Sequence, residues 1–197
     1  MIHRSSTPPV PWERVLARHR ALHDLSLPLV RADFDHALDT RRWLVRLEPR
    51  ASFAAQAAAL FHDIERIESE ATRRVEQHAA SYDAFKDAHA RRGAEIAREA
   101  LLAAGVDEAT TRRAAWLIER HERPGEDAEL RLLNEADALS FLSLNSAGFL
   151  DHYGVEHTRM KIARSLGRLG PRSRSWARDI DYRADVGALV RAALEAS

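Results

Sequence analysis

The chain has 197 residues, of which 45% are hydrophobic, and its 30 Lys and Arg side chains balance its 30 Asp and Glu side chains. This length predicts one domain with one sizeable core, and a formal charge of zero provides no overall field that would attract nucleic acid or an acidic membrane surface. Cysteine is absent, which excludes disulfides and thiolate metal sites, so histidines and carboxylates would have to hold any metal.

The N-terminal residues 1–10 are polar and proline-rich, and we expect them to be poorly ordered. They contain no segment of signal-peptide type. No apolar run anywhere in the chain approaches the roughly 18 residues that a membrane-spanning helix needs. The default expectation is therefore a soluble cytoplasmic protein with no membrane partner and no nucleic-acid polymer as partner.

Helical patterns follow one another along the chain without convincing period-two alternation, which predicts an all-α fold. A first helix is expected from about Pro11 to the break at Ser26–Pro28, and a second from about Val30 to Leu47. A third, FAAQAAALFHDIERIES, follows the cap residue Ser52. Its first half is apolar nearly all round, which is typical of a buried central helix.

The second half of the chain continues the helical pattern. Residues 69–81 interrupt the periodicity and are expected to form a loop or lid. A fourth helix is predicted over about 82–104, a fifth after the cap residue Asp107, and a sixth over about 127–144. The remainder is expected to form two more helices separated near Gly170–Pro171.

Side chains of metal-ligand type recur on these predicted helices among apolar neighbours. Such polar groups are costly to bury unless something satisfies them. Imidazole nitrogens and carboxylate oxygens suit first-row transition metals, and some of these groups also suit harder ions such as Mg²⁺. The six candidate ligands are His36, His62, Asp63, His89, His121 and Asp137.

The adjacent pair His62–Asp63 is the most informative of these positions. Neighbouring residues on a helix point about 100° apart, so the two cannot chelate one ion in the way of an i, i+4 pair. They can instead address one ion and its neighbour, with Asp63 bridging the two. The predicted ligands of the first ion are His36, His62, Asp63 and Asp137, and those of the second are Asp63, His89 and His121.

Two ions roughly 3.5–4 Å apart can share a hydroxide and clamp a phosphoryl group. Glu65 and Arg66 follow the His-Asp pair closely. We expect Glu65 to hold a ligand histidine or to move a proton, and Arg66 to neutralise a phosphate. Lys161, Arg164 and Arg168 share one helix face. This face is either a solvated basic stripe or one from which Lys161 or Arg164 reaches a substrate phosphate.

The remaining histidines are given simpler interpretations. His19 and His23 lie at i, i+4, a spacing that can chelate a metal. Their helix has no nearby carboxylate context like that of the His-Asp pair, so a solvated or packed face is the preferred interpretation. His78 lies in the polar stretch EQHAAS and is predicted to be a loop residue.

The order and local context of the six candidate ligands resemble the HD-domain superfamily of metal-dependent phosphohydrolases. The similarity covers about residues 30–165. The contexts that carry it are FDHALD at His36, ALFHDIERI at His62–Asp63, HARRGAEIAREALL at His89, LIERHE at His121 and NEADALS at Asp137. The resemblance implies an all-α HD-domain bundle, which we expect to have about seven to eight helices. We place the metal-binding domain at residues 11–170 and a C-terminal helical extension, packed on the same domain, at 171–197.

The resemblance further implies hydrolysis of a phosphoester of a small metabolite or nucleotide, through a metal-bound hydroxide. Two divalent ions are expected, since His89 and His121 match the two-metal members, and Mn²⁺, Fe²⁺, Co²⁺ and Mg²⁺ are all compatible. The chain lacks the Gly-Tyr-Pro signature of cyclic dinucleotide phosphodiesterases and has Glu122 where they place a second histidine. It also lacks the acidic pair that alarmone hydrolases carry after the His-Asp pair. Both of these activities are therefore disfavoured.

Two alternatives stay open at this point, and so does oligomerisation. Di-iron oxygenases similar to inositol oxygenase use the same ligand set to activate dioxygen. The short interval from His121 to Asp137 is more typical of the hydrolases. The second alternative is a regulatory module that binds a nucleotide without turnover, and the intact ligand set argues against it.

Overall fold

The computed structural model describes residues 12–75 and 80–196. The expectation for residues 1–10 and the assignment of His78 to a loop lie outside this part of the chain. The described residues form ten α-helices and one π-helical turn, with no strand, which confirms the all-α prediction. Eight of these helices have nine or more residues, in agreement with the expected seven to eight.

The helices follow the predicted order along the chain. They are α1 (Trp12–Ala21), α2 (Pro28–Leu47), α3 (Phe53–Phe61), α4 (Arg66–Ser69), α5 (Tyr82–Ala103), α6 (Glu108–Arg120), α7 (Ala128–Ser140), α8 (Ser146–Gly167), α9 (Pro171–Arg178) and α10 (Ala184–Glu195). The π-helical turn, Phe141–Asn145, joins α7 to α8. Within the described ranges, none of these helices has the length and apolar character needed to cross a membrane.

Side-chain caps explain where several helices begin. The Ser52 hydroxyl accepts a hydrogen bond from the backbone N–H of Ala55 at the start of α3. The carboxylate of Asp107 caps α6 in the same way. Asp127 caps α7 by accepting from two backbone N–H groups. Because the first N–H groups of a helix have no partner within it, these caps set the helix boundaries.

The predicted third helix is wrong in its second half, because α3 ends at Phe61 rather than near Ser69. The backbone N–H of Ile64 bonds to the carbonyl of Phe61, and that of Arg66 bonds to the carbonyl of Asp63. These i to i+3 bonds wind the chain more tightly than an α-helix does. His62 and Asp63 therefore lie on turns after the helix, and only the short α4 follows.

The C-terminal part contains three helices where the sequence predicted two. A second break separates α9 from α10, and the hydroxyl of Tyr182 donates to the carbonyl of Ala177 across it. Helix α8 is itself interrupted at Gly154, whose φ of 77° lies in the left-handed region that favours glycine. Val186 and Val190 of α10 are buried in the common core, and α10 packs against α8.

Helix α3 lies at the centre of the bundle, as its apolar sequence predicts. Its seven residues from Ala54 to Phe61, apart from Gln56, are buried, and α2, α5, α6 and α7 contact it. Alanine side chains are small and allow these helices to approach closely. The central helix thus delivers the His62–Asp63 turn into the middle of the bundle, where the surrounding helices can reach it.

Candidate metal centre

The six predicted ligands converge in the interior and form two groups. Within each group, one ligand atom from every member lies within 4.8 Å of those of the others. Helices α2, α5 and α7, the turn after α3 and the end of α6 supply them. The first group contains His36, His62 and Asp137, and the second contains Asp63, His89 and His121 together with Glu122, which was not among the six predicted ligands.

The first group is centred on one carboxylate oxygen. Oδ1 of Asp137 lies 3.1 Å from Nε2 of His36 and 3.5 Å from Nε2 of His62. Oδ2 of Asp63 lies 3.7 Å from the same His62 nitrogen. Asp63 is therefore close enough to act as a fourth donor to an ion in this group.

The second group is centred on the other oxygen of Asp63. Its Oδ1 lies 3.0 Å from Nε2 of His89 and 3.9 Å from Nε2 of His121. Oε1 of Glu122 lies 3.3 Å from that His121 nitrogen. Asp63 presents one oxygen to each group, which is the arrangement that a bridging carboxylate needs.

In each of the four histidines, Nδ1 makes a hydrogen bond to an atom that belongs to neither group. The carbonyls of Ala59 and Ile118 accept from His62 and His121 respectively, and a carboxylate accepts from His89. The Ser140 hydroxyl accepts from His36 while donating to the His36 backbone carbonyl. Because Nδ1 makes these bonds, the Nε2 atoms point inward, in the orientation that metal-ligating histidines require.

Two of the inward-facing nitrogens show whether the site is suited to metal ions, because they are buried without a partner in the part of the chain that the structure describes. Nε2 of His62 and Nε2 of His121 are buried and have no hydrogen-bond partner among the described residues. A buried polar atom left unsatisfied destabilises a fold by about 1–3 kcal/mol. A divalent ion would satisfy both atoms, and imidazole with carboxylate is a donor set suited to Mn²⁺, Fe²⁺ or Co²⁺. The residues present therefore fit the expected ions.

The ionisation of the site follows from its burial and its charges. Burial acts to lower the pKa of His62, but the carboxylates of Asp63 and Asp137 outweigh burial and raise this pKa to about 9. Burial also opposes ionisation of Asp63. The charges of Arg66, His62 and His89 nevertheless hold the pKa of Asp63 well below its ordinary value. The carboxylates are therefore ionised at neutral pH and ready to bind cations.

Glu65 and Arg66, which follow the His-Asp pair, contact different partners. Oε2 of Glu65 accepts from Nδ1 of His89 at 2.6 Å and from the Ser69 hydroxyl at 2.9 Å. Glu65 therefore positions His89, which is one of the two roles expected for it. Nε of Arg66 lies 3.0 Å from Oδ2 of Asp63, and Arg66 also lines the cavity in front of the site.

That cavity, here called the inner cavity, has a volume of about 120 Å³. The ligands His36, Asp63, Glu122 and Asp137 form part of its wall, and Phe141, Phe149 and Tyr153 form an apolar part. Its cationic side chains are Arg66, Arg74, Lys86, Lys161 and Arg168. The five cations outnumber the four lining carboxylates, Asp33, Asp63, Glu122 and Asp137, by one, and bound ions would add positive charge, so the occupied site would favour an anion.

Sequence reasoning found Arg66 and Lys161 but assigned no role in the site to Glu122, Arg74 or Lys86. Glu122 forms an ion pair with Lys86, and Arg74 donates to both oxygens of Asp33 at 2.8 and 2.6 Å. A signal for Glu122 was present in the sequence. His121–Glu122 is a second histidine-acid pair at a helix end, like His62–Asp63 after α3.

Three other predicted positions lie away from the inner cavity. Arg164 lines a neighbouring cavity, where its guanidinium donates to the hydroxyl of Tyr82 at 3.2 Å. His19 and His23 are buried and pack against aromatic rings, with 5.3 and 5.1 Å between their ring centroids and that of Phe34. The structure thus gives this pair the packed face that the sequence favoured.

Comparison with known protein families gives a match over most of the chain. It is described as a domain of unknown function (DUF4202) and covers residues 13–190. The match runs from α1 into α10, so it includes both groups of candidate ligands and the C-terminal helices. Comparisons with curated proteins and with solved structures find no match. The resemblance to the HD-domain superfamily therefore stays a prediction based on the residues themselves. On the extent of its family match, the chain belongs to the DUF4202 family.

Proposed function

We propose that this protein is a metal-dependent phosphohydrolase that acts on a small phosphorylated metabolite or nucleotide. The observation that carries the proposal is the double role of Asp63. One of its oxygens belongs to the second group of buried histidines and carboxylates, and the other lies 3.7 Å from Nε2 of His62 in the first. Both groups adjoin a cavity whose wall carries five cationic side chains. A paired site of this kind is suited to a substrate that concentrates negative charge on one atom.

Some residues would bind the ions directly, and others orient the side chains that bind them. His36, His62 and Asp137 would hold one ion, and His89, His121 and Glu122 the other, with Asp63 between them. When bound, such ions would supply Lewis acidity and lower the pKa of a water molecule toward neutrality. Ser140 and Glu65 orient the rings of His36 and His89, so the donor atoms are preorganised before any ion arrives.

The cationic wall would bind the phosphoryl oxygens. Arg168 is held in place by Oδ2 of Asp137 at 2.7 Å and by Oδ1 of Asn134 at 2.7 Å. Arg74 is held by Asp33, and Lys86 by Glu122. Fixed guanidinium and ammonium groups can offset developing negative charge without reorganising, which is how electrostatic catalysis operates.

An aromatic cluster also lines the inner cavity. The rings of Phe141 and Phe149 lie edge to face with centroids 5.5 Å apart, and Tyr153 packs on Phe149 at 4.5 Å. Apolar rings cannot hydrate a charged substrate. They therefore limit water at the reacting phosphorus and strengthen its interactions with the cations.

The test compares two aspartate variants with the wild-type protein. Metal content is measured by mass spectrometry, and phosphate release is followed on a panel of phosphomonoesters, nucleotides and cyclic dinucleotides. We expect Asp63→Asn to lose both bound metal and phosphate release while circular dichroism shows an intact helical fold. The matched control Asp35→Asn, at an exposed position of α2, should behave as wild type.

Three results would overturn the proposal. Full activity in Asp63→Asn would show that the catalytic site does not depend on Asp63 and lies elsewhere. Iron content together with oxygen consumption on a polyol or phosphonate would show an oxygenase instead. Metal-loaded protein that binds nucleotides but releases no phosphate from any compound in the panel would show a binding module.

A further inference from the structure

A second cavity, here called the outer cavity, adjoins the candidate metal centre. Its volume is about 530 Å³, and it shares the wall residues Glu122, Lys161 and Arg168 with the inner cavity. His121 also lines it. The outer cavity thus reaches the second group of candidate ligands directly, and a molecule bound at the ions could extend into it.

The two volumes suit different parts of one molecule. The inner cavity, at about 120 Å³, is less than a quarter of the size of the outer cavity, at about 530 Å³. Cavities that bind small molecules typically measure about 300–1,000 Å³, a range that includes only the outer of the two. The inner cavity can therefore accept a phosphoryl group, while the rest of a substrate must lie in the outer cavity.

The outer cavity has a positive lining. Its two carboxylates already have partners, since Glu122 pairs with Lys86 and Glu135 accepts from the Ser173 hydroxyl. The cations around it are Arg123, Arg131, Lys161, Arg164 and Arg168. Five cations line this cavity against two carboxylates, and two of the five, Arg123 and Arg168, are paired with Asp87 and Asp137. The lining still has an excess of positive charge, which favours an anionic occupant.

Two of these cations have only neutral partners in the parts of the chain that the structure describes, 12–75 and 80–196. Arg164 donates to the hydroxyl of Tyr82 and lies over its ring, 5.3 Å from the centroid. Arg131 donates to the backbone carbonyl of Glu126. Arg123, in contrast, makes a bidentate ion pair with Asp87. The charges of Arg164 and Arg131 can therefore be complemented by a ligand.

We propose that the outer cavity binds the leaving portion of the substrate and selects one that carries a second anionic group, a phosphate or a carboxylate. This inference rests on the proposed hydrolase function. In the reaction a water oxygen bonds to phosphorus and the ester P–O bond breaks. The released oxygen takes a proton from that water, which yields inorganic phosphate and an alcohol that retains the second anion. Arg164 and Arg131 are the specificity-determining residues, because they would pair with that second anion.

The test uses two small phosphomonoesters of similar size, glycerol 3-phosphate and 3-phosphoglycerate, of which only the second carries a carboxylate. We measure kcat/KM with metal-loaded protein, and equilibrium binding to metal-free protein by calorimetry. Because a charge-assisted hydrogen bond contributes about 1.5–3 kcal/mol, we expect 3-phosphoglycerate to be favoured by about tenfold or more in both measurements.

The variants Arg164→Gln and Arg131→Gln should each reduce this preference severalfold, mainly because binding of 3-phosphoglycerate and its kcat/KM decrease. The control Arg42→Gln removes an exposed arginine of α2 that lines neither cavity, and it should keep the wild-type preference. Raising the salt concentration should reduce the preference in the wild type, since partly exposed charges are screened.

The two measurements separate this inference from the function on which it rests. Equal binding and equal kcat/KM for the two compounds, unchanged in both variants, would overturn the outer-cavity proposal and leave the hydrolase standing. Absence of turnover for every compound, with a binding preference that collapses in Arg164→Gln, would overturn the hydrolase and support the anion site.

Discussion

Glu65 accepts a hydrogen bond from His89, with 2.6 Å between Oε2 of the carboxylate and Nδ1 of the ring. The bond fixes the ring so that its Nε2 lies 3.0 Å from Oδ1 of Asp63. It also makes Nε2 of His89 a better electron-pair donor to a metal ion, because a carboxylate behind an imidazole increases the basicity of the opposite nitrogen. Glu65 therefore acts on the second group of ligands without facing the inner cavity.

The first prediction concerns this pair. Glu65→Gln keeps the size of the side chain but removes the charge that holds His89, so affinity for the second ion should fall about 10–100-fold. Calorimetric titration with Mn²⁺ measures the change. Glu68→Gln, an exposed glutamate paired with Arg92, is the matched control and should bind as wild type. Wild-type affinity in Glu65→Gln would show that the hydrogen bond plays no part in metal binding.

The second prediction concerns Glu122, whose Oε1 lies 3.3 Å from Nε2 of His121. Burial opposes its ionisation, but the charges of His121 and Lys86 hold the pKa of Glu122 well below its ordinary value. An ionised ligand is lost in Glu122→Gln, so at limiting metal we expect one tightly bound ion instead of two. Metal counting by mass spectrometry after dialysis reads this out. Exposed Glu119→Gln should retain both ions, and two ions in Glu122→Gln would exclude Glu122 as a ligand.

The third prediction is a pH dependence that originates at His19. Burial, and secondarily the charge of His23, lowers the pKa of His19 well below 6.5. His19 therefore takes up a proton near pH 6.5 in the unfolded chain but stays neutral at that pH in the folded chain. The stability associated with neutral His19 is complete above pH 6.5 and is lost as the pH falls below it toward the folded-state pKa. One group of this kind contributes a slope of at most about 1.4 kcal/mol per pH unit.

Urea unfolding of metal-free wild type and His19→Leu between about pH 7.5 and pH 5 measures this slope. We expect the free energy of unfolding to fall more steeply with acid in the wild type than in the variant. His152→Gln, at an exposed position of α8, serves as the control. Parallel curves for wild type and His19→Leu would show that His19 ionises freely in the folded protein.

The fourth prediction compares two leucines. Leu44 of α2 is fully buried in the core, whereas the side chain of Leu144 is 46% exposed. Leu44→Ala should reduce the free energy of unfolding by about 2–5 kcal/mol, because it removes buried methyl groups and leaves a cavity. Leu144→Ala should change it by no more than about 0.5 kcal/mol. Chemical denaturation tests both, and equal losses would contradict the assignment of Leu44 to the core.

Local signals in the sequence predicted much of the fold. Ser52 and Asp107 place the starts of α3 and α6 where the structure has them, because capping acts within one turn of chain. Pro28 is the first residue of α2, slightly before the expected start near Val30, and α1 ends at Ala21 rather than at the predicted break before Pro28. The same reasoning did not find the end of α3 at Phe61. No proline or glycine marks that position, and the tighter turns there are accompanied by a bond from the His62 ring to the carbonyl of Ala59.

The sequence by itself determined the residue types of the candidate site and their order along the chain. It contains His36, the pair His62–Asp63 and the other ligand types, and an excess of helix-forming residues makes an all-α fold the expected outcome. Periodicity further indicates that these polar groups lie on apolar helix surfaces, since it depends only on 3.6 residues per turn.

Only the tertiary structure decided which atoms meet. It placed one oxygen of Asp63 in the second group and the other 3.7 Å from Nε2 of His62 in the first. It also brought Glu122 into the second group and placed Glu65 behind His89. It also separated the inner cavity from the outer one and put Arg164 in the latter. These relationships join residues tens of positions apart, and packing of α2, α5, α6 and α7 around α3 sets them to within a few ångströms. No pattern within a single helix contains that information.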